Sequence, residues 1–158
     1  MFGNKMSLSY VIATGFGVGY LPWMPGTWAS LVAVATLFLI PDFSIWVYLA
    51  VAIALLGAGL LTVNRVQENA QINDPSWIVI DEYFGMTVAV LGLPKQLGWY
   101  AIAFIFFRFF DIKKISPINH LERLPGSWGV MLDDGMAGFL AALCAQILVY
   151  LMNSSFYK

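Results

Sequence analysis

Charge is what this chain of 158 residues has least of. Only 11% of its residues are Asp, Glu, Lys or Arg, against about 25% in an ordinary soluble domain. A soluble globule of this size could not clothe its surface with so few. Eight basic residues stand against nine acidic ones, a net charge of -1, so there is no basic stripe for nucleic acid. Hydrophobic residues make up 60%, which excludes intrinsic disorder. The single cysteine, Cys144, excludes an intramolecular disulfide and a cysteine-based zinc cluster. No small-residue cleavage site follows the N-terminal apolar run, so no removable signal is expected. There is no internal repeat and no linker. These absences leave an all-α, polytopic integral membrane bundle, one domain over residues 1–158.

The few charges are clustered, and the stretches between them are long. Nothing ionised lies between Lys5 and Asp42, between Asp42 and Arg65, or between Asp134 and Lys158. A bilayer core of about 30 Å takes about 20 apolar residues as helix. Spans are expected at Trp28–Ile40, Ile45–Val63 and Gly135–Met152. Tyr83–Leu93 and Gln96–Phe107 are each short for a span and are broken at Pro94, so they read as a hairpin. Counting both gives five spans, or about 4–5 with polar loops on the cytoplasmic side. Six of the eight basic residues (Lys5, Arg65, Arg108, Lys113, Lys114 and Arg123) then share one side. By the positive-inside rule that side is cytoplasmic. Every acid except Asp42 lies there too.

Four polar segments carry the candidate chemistry. In Gly15–Ser30, three alternate glycines and two prolines forbid a smooth helix, and Thr27 reads as an N-cap with Ser30 one turn on. A helix start beside glycines can hold a phosphate, although the same residues also make a tightly packed re-entrant turn. In Asp74–Gly85, Asp81 and Glu82 sit between apolar runs, where carboxylates are costly unless paired, hydrogen-bonded or metal-bound; a solvated helix end reads equally well. In Phe107–Ile118, Arg108 and Asp111 share a helix face at i, i+3. A basic membrane stop explains Arg108, Lys113 and Lys114 but not Asp111. In Gly126–Gly138, Asp133 and Asp134 stand together at the mouth of the last apolar run, where one acid would suffice as a cap. Five carboxylates from separated segments on one side suit a hard cation such as Mg²⁺. Arg108 and Lys114 add the positive charge a phosphate wants, and the combination suits metal-assisted phosphate chemistry.

Other phosphatase chemistries lack their residues. Cys144 lies mid-span in an Ala-Leu-Cys-Ala run and reads as packing. The one histidine, His120, reads as a surface residue and cannot supply a histidine pair. No Asp-x-Asp nucleophile motif occurs.

The four segments read GVGYLPWMPGTWAS, DPSWIVIDEYFG, FRFFDIKKISPI and GSWGVMLDDGMAG. In order and spacing they resemble the bacterial phosphatidylglycerophosphatase A family. Ala29, Ile115 and Ser127 depart from its usual Gly, Pro and Gly, and none of the three is a charged candidate. The resemblance implies a Mg²⁺-dependent phosphatase of the bacterial cytoplasmic (inner) membrane. It would hydrolyse phosphatidylglycerophosphate to phosphatidylglycerol and inorganic phosphate, with its site facing the cytoplasm among membrane lipids. On that reading Asp81, Glu82, Asp111, Asp133 and Asp134 hold the metal, not all directly, while Thr27, Ser30, Arg108 and Lys114 hold the phosphate. A phosphatase of another lipid or isoprenoid phosphate, or a non-enzymatic divalent-cation transporter, are the alternatives. Acids gathered at one edge rather than at mid-membrane disfavour the transporter.

Overall fold

In the computed structural model, which describes residues 7–72 and 75–155, the apolar stretches are helices whose ends are set by proline, glycine and left-handed residues. Lys5, Asp74 and Lys158 lie outside the described residues. Helix α1 is Leu8–Ala13, followed by a 3-10 turn at Val18–Tyr20. Helix α2, Pro25–Leu39, starts from left-handed Met24 with Pro25 in the first turn, where proline's fixed φ suits a helix. It stops as Ile40 turns extended before Pro41. Helix α3 is Ile45–Ala70, α4 is Ile80–Ala89 and α5 is Leu97–Lys113. The short α6, Ile118–Leu121, leads to the long α7, Ser127–Ser155. No strand occurs among the described residues.

Each expected apolar stretch is a helix, with ends that differ in useful ways. Helix α5 continues past Phe107 through Arg108 and Asp111. Helix α7 begins before Gly135, so Asp133 and Asp134 sit inside the helix rather than at its cap. Thr27 is not an N-cap: that position belongs to Met24, because Pro25 already has helical geometry. Among the described residues, only α3 and α7 are long and apolar enough to cross a membrane. At 1.5 Å per residue the ten-residue α4 reaches about 15 Å, half a bilayer core.

The packing is inverted relative to a soluble protein. In the apolar windows of α3 and α7 only 22% and 28% of residues are buried. Large side chains such as Trp46, Ile53, Leu61, Ile105, Ile147 and Leu151 face outward, while Ala33, Ala52, Ala103, Ala137, Ala141 and Ala145 lie in the interior beside Phe107, Met86 and Met131. Small residues let helices approach closely, which is how they associate where burying apolar surface earns nothing from lipid. Helices α4 and α7 touch along their backbones. A Cβ on Gly138 would strike the Gly85 carbonyl, and one on Gly85 would lie 2.7 Å from the Asp134 carbonyl oxygen and 2.5 Å from the Phe107 ring. This backbone-to-backbone contact fixes where Asp134 sits relative to the first turn of α4. The start of α7 is fixed from another side, by the Ser127 N–H donating to Asn64 Oδ1 of α3 at 2.7 Å.

Candidate active site

Asp81 and Glu82 occupy the first turn of α4, where acids complement the helix dipole. Because Gly85 and Gly138 bring the backbones together, Asp134 of α7 meets them from the opposite side. One carboxylate oxygen from each of Asp81, Glu82 and Asp134 lies within 4.8 Å of the others. Asp81 Oδ1, Glu82 Oε2 and Asp134 Oδ2 are buried without a hydrogen-bond partner. Burial raises the Asp81 carboxyl well above its usual range, with the neighbouring Glu82 charge adding to it. Burial, reinforced by Asp134, pushes Glu82 up to about 8. Asp134 is buried and Asp81 and Glu82 half-buried, and oxygen donors with unmade bonds are the kind a hard cation takes. Ligand distances of about 2.0–2.6 Å set opposite oxygens about 4–5 Å apart, so these residues fit one.

The two cations flank this cluster. Arg108 on α5 pairs with Asp111 at 2.6 Å, one turn along the same helix, and lies 4.0 Å from Glu82 Oε1. It also donates to Ser30 Oγ at 3.3 Å, and Ser30 in turn donates to the Gly26 carbonyl at 2.7 Å. Arg108 Nε is buried with no partner. Lys114, just past the end of α5, reaches Glu122 at 2.6 Å and Asp133 at 3.0 Å. Burial works against its charge, but the hydrogen bonds it donates to Glu122 and Asp133, with the charge of Asp133, outweigh burial and hold it above the usual lysine range. Asp133 Oδ1 accepts the Asp134 N–H at 2.9 Å.

A cavity of about 800 Å³ opens on these groups, lined by Asp81, Glu82, Arg108, Asp111, Lys114 and the Asp133–Asp134 pair. Of the nine residues singled out in the sequence, seven therefore share one cavity. Within it, Asp81, Glu82 and Asp134 converge, while Asp111 and Asp133 lie beside them and also pair with Arg108 and Lys114. Ser30 touches the site through Arg108 instead of lining it. Thr27 lines a separate apolar groove with Pro22, Trp23, Met24 and Trp28. His120 is exposed and Cys144 is half-buried in α7, away from the cavity.

Sequence reasoning passed over Gly26, Gln67, Ser76 and Glu122, which also line the cavity. Glu122 carries no spacing signal, since it is brought in by the short α6. Gly26 does carry one, a glycine in the first turn of a helix. A Cβ there would strike Glu82 Oε1.

The cavity gathers carboxylates beside an arginine and a lysine in a helical chain with an apolar exterior, the residue types that phosphoryl chemistry uses. The chain belongs to the phosphatidylglycerophosphatase A family, whose model matches residues 11–149. It is 32% identical over 135 residues to the phosphatidylglycerophosphatase A of Escherichia coli K12, covering 84% of this chain and 78% of that one. The phosphatidylglycerophosphatase A of Haemophilus influenzae is 30% identical over 146 residues, 90% of either chain. A Bacteroides thetaiotaomicron protein with the provisional name phosphatidylinositol-3-phosphatase is 37% identical over 139 residues, covering 83% of this chain and 87% of its own. No solved structure matches. The chain is a lipid phosphatase.

Proposed function

We propose that this chain hydrolyses the terminal phosphate of phosphatidylglycerophosphate, giving phosphatidylglycerol and inorganic phosphate, and that it does so with Mg²⁺. The observation that carries the metal is the set of three buried, unpartnered oxygens on Asp81, Glu82 and Asp134. Mg²⁺ held there would neutralise phosphate oxygens and lower the pKa of a bound water. Arg108 binds the phosphate as a fork, held in orientation by Asp111 and Ser30. Lys114 contributes a point charge on the opposite side, steadied by Asp133. Thr27 lines its own apolar groove and takes no part in this cavity.

The chain lies in the cytoplasmic membrane with this cavity at the cytoplasmic boundary. α3 and α7 cross fully, and the shorter α2, α4 and α5 pack between them. The acyl chains of the substrate stay in the leaflet, against the outward apolar faces. A second reading, hydrolysis of a phosphoinositide monophosphate, is favoured by the name of the Bacteroides relative.

The test is phosphate release from purified chain in detergent, offered phosphatidylglycerophosphate and a phosphoinositide monophosphate in parallel, with Mg²⁺ and then with EDTA. Release from the glycerol lipid that EDTA abolishes, and that Asp133→Asn and Asp111→Asn each reduce about 10–100-fold, is expected, since residues supporting a metal site carry losses of that size. Activity indifferent to EDTA would remove the metal, and faster release from the inositol lipid would favour the second reading.

A further inference from the structure

Lys114 already has two anions, and a substrate phosphate would be a third. The two are not equivalent. Asp133 is 8% exposed, stands on the long α7, and uses its other oxygen on the Asp134 N–H. Glu122 is 47% exposed and directly follows the four-residue α6. Both line the cavity with Lys114. One ammonium against two carboxylates leaves this end of the cavity with a net negative charge, where a phosphate must bind. Losing Asp133 would strand a buried carboxylate, a costly exchange. Losing the Glu122 contact returns an exposed carboxylate to water, and ion pairs of that kind are weak.

We propose that Glu122 is the resident counter-ion of Lys114, occupying the ammonium at the mouth of the cavity until a phosphate monoester displaces it. Glu122 is thus a positioning and specificity residue that never touches the reacting atoms. Its role in turnover rests on the phosphatase reading above. A monoester carries up to two negative charges and three terminal oxygens, whereas a phosphodiester carries one charge and two. The monoester therefore displaces Glu122 more readily, and Glu122 returns against a bound diester lipid. The same exchange that admits the substrate phosphate assists departure of a product that keeps only its diester.

The test uses the full chain in detergent and compares Glu122→Gln, which keeps the shape and removes the charge, with Glu122→Asp, which keeps the charge. Calorimetric titration with inorganic phosphate, Mg²⁺ present, reads the exchange without reference to any lipid. Glu122→Gln should bind phosphate about three- to fivefold more tightly, the size of a partly exposed ion pair. Its KM for the lipid monoester should fall in parallel, and phosphatidylglycerol, a diester, should become a stronger competitive inhibitor. Glu122→Asp should restore all three toward wild type. Unchanged or weaker phosphate binding in Glu122→Gln, identical behaviour of the two variants, or no phosphate binding by either would overturn the exchange. A wild type that cleaves no lipid phosphate, alongside tighter phosphate binding in Glu122→Gln, would sink the phosphatase reading and leave the exchange standing.

Discussion

Replacing Gly26 by alanine separates the site from the fold that carries it. Gly26 lies in the first turn of α2 and its φ is outside the left-handed region, so alanine suits the backbone there. Alanine is favoured over glycine within a helix by about 0.5–1 kcal/mol, so the fold should lose nothing from the backbone. The added Cβ would collide with Glu82 Oε1 and lie 3.0 Å from Glu82 Cδ and 3.5 Å from Arg108 Nη1. The end of a long side chain yields readily, so the clash moves the Glu82 carboxylate instead of the helix. Glu82 is thereby displaced from Asp81, Asp134 and Arg108. A misplacement of about 1 Å at a reacting centre costs about 10²-fold in rate, equivalent to about 2.7 kcal/mol of barrier. The expected result is a drop of that order in Mg²⁺-dependent phosphate release, with a melting temperature in detergent equal to wild type or higher. Gly57→Ala is the control: no heavy atom lies within 4 Å of its Cβ position, so activity should be kept. Full activity in Gly26→Ala would refute the placement of Glu82 at the reaction site.

Other perturbations probe the remaining links. Gly138→Ala drives a Cβ into the Gly85 carbonyl, which cannot swing aside, so α4 and α7 must separate. A loss of about 1–3 kcal/mol, the usual cost of overpacking, should appear as a lower melting temperature together with lost activity. Arg108→Lys keeps the charge but loses the fork that spans Asp111, Glu82 and Ser30; KM should rise at least about tenfold, the worth of 1.4 kcal/mol, without loss of fold by circular dichroism. The Glu82 carboxyl, held up at about 8 by burial and Asp134, has an ordinary value of 4.5. The folded chain therefore binds more protons than the unfolded chain between those values, and its stability should fall as pH rises through that window. In EDTA the melting temperature should decline from about pH 5 to pH 8, and Mg²⁺ should cancel the decline by occupying the ionised carboxylates. A flat profile in EDTA would count against a raised Glu82.

What could be read directly from the sequence followed from local rules. Long uncharged stretches of about 20 residues read as helices in lipid, since a helix satisfies every backbone polar group within the segment. So α2, α3, α5 and α7 were legible, as was the turn at Pro94. The Arg108–Asp111 pair was legible too, because i and i+3 meet on any helix. Helix ends were less so. Thr27 is a good N-cap by residue type, yet proline at position 25 began the helix earlier and gave the cap to Met24. The acids inside α7 looked like a helix mouth because charge normally ends a span, and here it does not.

The sequence by itself determined the helical class, the family and the set of polar residues, because apolar length, motif order and residue type are properties of a linear chain. Only the tertiary structure decided which acids converge. Asp81 and Glu82 meet Asp134 because Gly85 and Gly138 lack side chains and let two helices touch along their backbones. Asp111 and Asp133 pair with Arg108 and Lys114 beside them. Glu122, more than thirty residues from Asp81 and on no helix face that a period could reveal, directly follows the short α6 and reaches Lys114 across the cavity lining.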